Sequence, residues 1–160
     1  MRRHVVRPGE GRPVTPDIVC TVSADDLPGR GVGIIEGTLA PGALIPPHTH
    51  AGVDEVTYVL AGEVTAEIGD AVVVAPTGSY LLKPRGLPHA FWNSGTTTAR
   101  VLELHLPGGF ERYYARMAEL AADGSDGTDR FARMGALNHE FGVVHHPERI
   151  AALRERHGLS

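Results

Sequence analysis

The sequence predicts an all-β domain, an antiparallel sandwich or barrel, followed by a short helical tail. Three observations predict it. From about Val14 to Leu106 the chain consists of short β-rich runs broken by Gly and Pro, with no repeat of fixed period. The breaks are turn-forming pairs and triplets, and beyond Pro107-Gly108-Gly109 the apolar spacing changes from alternation to that of a helix. The β runs are Ile18 to Val22, Val32 to Leu39, Glu55 to Leu60, Glu63 to Ile68, Ala71 to Ala75, Tyr80 to Leu82, Ala90 to Trp92 and Ala99 to Leu106. Pro41-Gly42, Ala61-Gly62, Gly69-Asp70, Pro76-Thr77-Gly78, Pro84-Arg85-Gly86 and Asn93-Ser94-Gly95 separate them. In the tail, Phe110, Tyr113, Tyr114, Met117 and Leu120 recur at three-and-four spacing. The loop Gly124-Ser125-Asp126-Gly127 precedes a second helix over Asp129 to Leu137, and a third runs from Pro147 to Gly158. The boundary falls near residue 109: residues 1–109 form the barrel with an N-terminal arm, and residues 110–160 a helical extension that packs on the barrel or on a dimer partner, or lids a cavity mouth.

At 160 residues with 42% hydrophobic side chains, the chain has material for one core. A formal charge of -4 leaves no basic face for phosphate backbones, so nucleic acid is excluded as a partner. Arg2, Arg3 and Arg7 precede no apolar run, which argues against a secretory signal and for a cytoplasmic protein with no membrane partner. Cys20 is the single cysteine and reads as a small buried thiol within its β run.

The chemistry sits elsewhere. His48-Thr49-His50, Glu55 and His89 supply imidazole nitrogen and carboxylate oxygen, donors suited to one divalent transition metal, whether Fe, Mn, Ni, Co, Cu or Zn. On a strand, residues two apart share a face, so His48 and His50 reach the same point. The set lacks thiolate, which argues against a closed structural zinc site and for an ion with free positions. Alternation also places Thr57 and Val59 in phase with Glu55, and Phe91 in phase with His89, as the first wall of a substrate cavity. Tyr58 and Trp92 fall out of phase, and Tyr80 and Leu82 are undecided. On the last run, Arg100, Leu102, Leu104 and Leu106 form one stripe and Val101, Glu103 and His105 the other. The leucines are expected in the core, with Glu103 and His105 facing solvent. His145-His146 reads as a solvated loop, because neighbours on an extended chain point apart.

The spacing of these donors carries a resemblance. Gly42, five residues, His48-Thr49-His50, four residues, Glu55, six residues and Gly62 match the first cupin motif. Gly78, five residues, Pro84, one residue, Gly86, two residues, His89, three residues and Asn93 match the second, fifteen residues beyond Gly62. The chain thus resembles the cupin superfamily over roughly Val32 to Leu106. The resemblance implies a double-stranded β-helix, the jelly-roll barrel, with a single motif pair. It implies His48, His50, Glu55 and His89 as metal ligands, turn roles for the motif glycines and Pro84, and a structural role for Asn93.

Fold alone does not choose an activity. The segments Leu106 to Tyr114 and Asn138 to Gly142 loosely resemble the tail of small bacterial quercetinase-like cupins. That implies a dioxygenase acting on a flavonoid-like or polyketide-like aromatic, with the substrate oxygen on the metal and Glu55 as catalytic base. A redox-neutral polyketide cyclase or isomerase using the metal as Lewis acid, and a non-catalytic ligand-binding cupin, are the alternatives. A homodimer is the expected assembly.

Overall fold

The computed structural model describes residues 5–27, 29, 31–124 and 126–159; Arg2, Arg3 and Ser125 lie outside them. Among the described residues, eleven strands form two antiparallel sheets that face each other as a double-stranded β-helix. In chain order the strands are β1 (Arg12–Thr15), β2 (Ile18–Val22), β3 (Gly33–Leu39), β4 (Leu44–His50), β5 (Asp54–Ala61), β6 (Glu63–Ile68), β7 (Ala71–Pro76), β8 (Tyr80–Lys83), β9 (His89–Trp92), β10 (Ala99–Leu106) and β11 (Val143–His145). One sheet runs β1-β2-β3-β10-β5-β8 and the other β11-β4-β9-β6-β7. Leu39, Val59, Val64, Ala66, Leu81, Phe91 and Val101 fill the space between the sheets.

Most β runs fall where the pattern places them. β4 extends the strand expected at His48 and His50 back to Leu44, through Pro46 and Pro47, which cannot donate to a ladder. The strand tolerates them because its pairing with β9 is irregular between Ile45 and His48. β11, by contrast, went unread. Val143, Val144 and His145 pair with His50, Thr49 and His48, so the expected solvated loop is instead an edge strand.

Alternation on β10 is opposite to expectation. Ala99, Val101, Glu103 and His105 point inward and are buried, whereas Leu102 and Leu104 are half-buried and Leu106 is exposed on the outer face. Register explains it: Val101 lies opposite Val59, Glu103 opposite Thr57 and His105 opposite Glu55. Turning the leucines inward would turn Glu55 outward with the neighbouring strand. Tyr80 and Leu82 also face outward, each 65% exposed.

Gly62 makes the turn from β5 to β6 with φ 77°, a conformation that side chains resist, and an added Cβ would stand 3.0 Å from the Cα of Ala99. Asn93 is fully buried; its amide donates to the carbonyls of Leu39 and Thr97 and its oxygen accepts from Gly95 N.

The tail folds as α1 (Glu111–Ala122), α2 (Gly127–Phe141) and α3 (Ile150–His157). The apolar face of α1, with Tyr113, Met117 and Leu120, packs against Leu137, Phe141 and Val143. Leu153 of α3 seals Trp92 and Ala90 on the outer face of β9. Beside it, Arg149 and Arg156 reach Glu67 of β6 at 2.8 and 3.1 Å. The outer face of β9 and of β6 at Glu67 is thereby covered, while Val72 and Val74 of β7 stay exposed.

Glu111 ties the tail to the barrel. Its carboxylate accepts from Ser23 Oγ and Ala24 N, both at 2.9 Å, and from Gly109 N at 2.7 Å. At Gly33 a Cβ would lie 2.3 Å from Glu111 Oε2, so any side chain there would displace this carboxylate from its hydrogen bonds. Burial alone raises the Glu111 carboxyl, but the hydrogen bonds from Ala24, Gly109 and Ser23 outweigh it and hold it below its ordinary 4.5. A depressed pKa stabilises the fold above the unfolded value, and that stability is lost as pH falls through the folded one. Glu111→Ala leaves buried donors unmatched and is expected to cost about 2 kcal/mol, a fall of roughly 4–8 °C in Tm at pH 7. Melting curves below pH 4.5 should show this difference shrinking.

Candidate metal centre

β4 places His48 and His50 on one face, β5 brings Glu55 from the opposite sheet, and β9 brings His89 directly across from His48. All four are buried, and one donor atom from each lies within 4.8 Å of the others. Two donors on one ion at about 2.1 Å are at most about 4.2 Å apart, so closing the set takes shifts of a few tenths of an ångström per side chain.

The histidines are set as ligands by their own backbone. His48 Nδ1 lies 2.8 Å from the carbonyl of Pro46, and His89 Nδ1 lies 3.0 Å from that of Leu87. A carbonyl can only accept, so each Nδ1 carries the proton and each Nε2 keeps its lone pair for the centre. Burial, then the nearby His89, lowers His48 to about 3, which keeps its ring neutral. His50 Nε2 and His89 Nε2 make no hydrogen bond, and stand 3.5 and 3.2 Å from Glu55 Oε2. Orphaned buried nitrogens converging on a carboxylate are what a divalent cation satisfies.

Behind Glu55 lies a charged network. Glu55 is flanked in its sheet by Lys83 of β8 and His105 of β10. Lys83 Nζ stands 3.0 Å from Glu55 Oε2 and 2.8 Å from Glu103 Oε2, and His105 Nε2 stands 3.2 Å from Glu55 Oε1. Thr57 Oγ1 donates to both oxygens of Glu103, at 3.0 and 3.1 Å. The Lys83 ammonium also lies 4.4 Å from the centre of the Phe91 ring. Burial raises Glu55, but Lys83 and the imidazoles of His105, His50 and His89 overcome it and hold the carboxyl well below its usual range. Burial pushes Glu103 up to about 8, against the pull of Lys83 and with the repulsion of Glu55. Burial lowers Lys83, and the two carboxylates reverse that.

Two cavities meet at His48. One, about 280 Å³, is lined by Ile18, Ile35, Leu39, Phe91, Val101 and Tyr114 and reaches His48, Glu55 and Glu103. The other, about 200 Å³, lies between β4 and the tail and is lined by His50, Phe110, Tyr113, Met117 and His145. Helix α1 thus forms a wall over the centre, with the Phe110 ring 4.6 Å from that of His50 and 4.9 Å from that of His105. Burial, with the Glu55 and Glu103 carboxylates, raises the Tyr114 phenol well above its usual value, so it stays protonated.

Of the proposed substrate wall, Phe91 lines the larger cavity, whereas Thr57 and Val59 are fully enclosed behind it. Glu103 and His105, expected in solvent, are 4% and 0% exposed within the site. Lys83 was not singled out at all. Its signal was its phase with Leu81, which puts both on one face of β8. His145 and His146 do point apart: His145 faces the smaller cavity beside His48, and His146 Nε2 meets Thr49 Oγ1 at 2.7 Å.

The family profile described as "Cupin domain" matches residues 35–105. Germin-like protein 1 of Brassica napus is 39% identical over 94 residues, covering 56% of this chain and 44% of that protein. Nectarin-1 of Nicotiana langsdorffii x Nicotiana sanderae is 31% identical over 115 residues, covering 65% of this chain and 50% of its own. The chain spans about half the length of these curated relatives. Among solved structures, a predicted oxalate decarboxylase from Thermotoga maritima superposes with TM-score 0.59 at 22% identity, over 64% of this chain and 98% of that one. KdgF from Halomonas sp. superposes with TM-score 0.55 at 18% identity, over 66% and 92%. At these identities the likeness speaks for the fold.

The relatives overturn the quercetinase-like dioxygenase: they are germin-like proteins and nectarin-1, and the polyketide alternatives find no support among them. The physical reason lies in the tail. The segments that carried the likeness build the packing of α1 against α2, where Tyr113 donates to Asn138 and Phe110 meets Phe141, and both lie outside residues 35–105. With both motifs folded around one donor set in a double-stranded β-helix, residues 35–105 form a cupin domain.

Proposed function

We propose that this chain is a metal-dependent cupin enzyme of the germin-like kind, holding one divalent transition-metal ion with His48, His50, Glu55 and His89. The single observation that carries the reading is the convergence of the four buried donors, two of them with Nδ1 fixed on a backbone carbonyl. A bound ion of this class supplies Lewis acidity, and redox capacity where the metal is redox-active. The chain's own residues do the rest. Phe91, Ile35 and Val101 give the substrate an apolar seat, and His48 and Glu55 mark its reactive end. A cavity of about 280 Å³ suits a compact molecule with an oxygen donor at one end and a small apolar body. The Tyr114 phenol, kept protonated, is a donor at the cavity wall. Phe110 and Tyr113 exclude water from the imidazoles beneath α1.

Elemental analysis of the purified protein is expected to find about one divalent ion per chain. Saturation at about a hundred times Kd should add about 2.7 kcal/mol to stability, and a chelator should reverse the gain. His50→Ala is expected to lose the ion at least tenfold more readily. A wild-type chain that retains no ion after reconstitution, and melts identically with and without it, would refute the reading. Small oxygen-donor substrates should then be screened with and without dioxygen, since turnover under nitrogen separates Lewis-acid from oxidative chemistry.

A second copy of this chain is the proposed partner. It is supported by the outer face of the first sheet, where Tyr58, Tyr80, Leu82, Leu102 and Leu104 present an apolar surface, while on the opposite sheet α3 covers Ala90 and Trp92 of β9. Light scattering should return twice the chain mass, and Leu82→Glu should halve it with the melting point of the monomer preserved. A wild-type monomer at tens of micromolar counts against the assignment.

A further inference from the structure

Lys83 is a fully buried ammonium whose partners are all part of, or one step from, the donor set. The metal reading above does not use it. A buried lysine is costly unless paired and hydrogen-bonded, so its place needs a reason. Its Nζ touches the Glu55 oxygen that faces His50 and His89, at 3.0 Å, and from the other side it is held at 2.8 Å by Glu103, itself fixed by Thr57. The remaining Glu55 oxygen is met by His105. Both oxygens of Glu55 are therefore engaged from its two neighbouring strands.

We propose that Lys83 is a positioning residue, anchored by Glu103 and Thr57, which locks the Glu55 carboxylate in the one orientation that turns Oε2 toward His50 and His89. The inference rests on the metal reading and sharpens it. Glu55 acts as a fixed ligand and does not swing away as a mobile base, because rotation about its terminal bond breaks contacts on both oxygens at once. Pre-setting a ligand in this way slows release of the ion, since the first step of release is movement of a donor. Charge alone argues the other way, since an ammonium so close to the centre repels a cation, so what Lys83 contributes is the fixed geometry of Glu55, with Glu103 holding it at 2.8 Å.

The test uses Co(II) as probe. Lys83→Met combined with Glu103→Gln removes the ammonium and its anchoring acid at nearly constant volume, leaving His105 as the remaining partner of Glu55 from its neighbouring strands. With the metal-free melting point within a few degrees of wild type, the pair variant is expected to lose Co(II) to excess chelator at least tenfold faster, and its visible d–d spectrum should shift as the carboxylate changes its mode of binding. A folded variant with wild-type release rate and spectrum overturns the proposal and leaves the metal reading standing. Should the pair variant not fold, Thr57→Val decides: near-isosteric, it frees Glu103 by one hydroxyl and is expected to speed release at least threefold, and an unchanged rate overturns the proposal. A wild-type chain that takes up no Co(II) removes the metal reading and this inference together.

Discussion

The buried carboxylate of Glu55 is the constraint around which the barrel is arranged. A carboxylate at 2% exposure needs compensation from every side. Lys83 supplies it from β8 and His105 from β10, while His50 and His89 converge on the same carboxylate from the opposite sheet. Each of these strands owes its register to that compensation. Slipping β5 by one residue would bring Val56 inward and strand three imidazoles and an ammonium without their common partner.

Much of the remaining architecture follows from keeping that centre dry. The lower end of the barrel is closed by side chains such as Val59, Val64, Leu81 and Val101, and the upper end by the aromatic face of α1. Phe110 sits directly on the imidazoles of His50 and His105, so the helical tail is part of the wall around the donors. Glu111, one residue on, fastens that helix to the loop after β2. Burial of the centre and attachment of the tail are thus physically one arrangement, and a low local dielectric strengthens every contact within it.

The two outer sheet faces are treated differently. Leu153 packs on Trp92 and Ala90, and two arginines close on the buried Glu67, so the β9 and β6 part of the five-stranded sheet is covered by its own chain, while Val72 and Val74 of β7 stay exposed. On the six-stranded sheet the apolar outward stripe of β5, β8 and β10 has no cover among the described residues. Trp92, out of phase with the centre, finds its role in the covered part, where the His157 ring lies 4.6 Å away.

The sequence by itself determined the strands with clean alternation, the turns at glycine and proline, the helical period of the tail and the four donors at motif spacing. These are legible because each is a local rule, read over a few residues. Only the tertiary structure decided which stripe of β10 faces inward. Alternation says that Leu102 and Leu104 oppose Glu103 and His105, but not which pair is enclosed. The usual habit of charged groups gave the wrong answer because these charges neutralise one another across strands distant in sequence, a condition no local pattern displays. Lys83 stayed unread for the same reason, as did β11, whose three residues become a strand only by pairing with β4 beside His48 and His50.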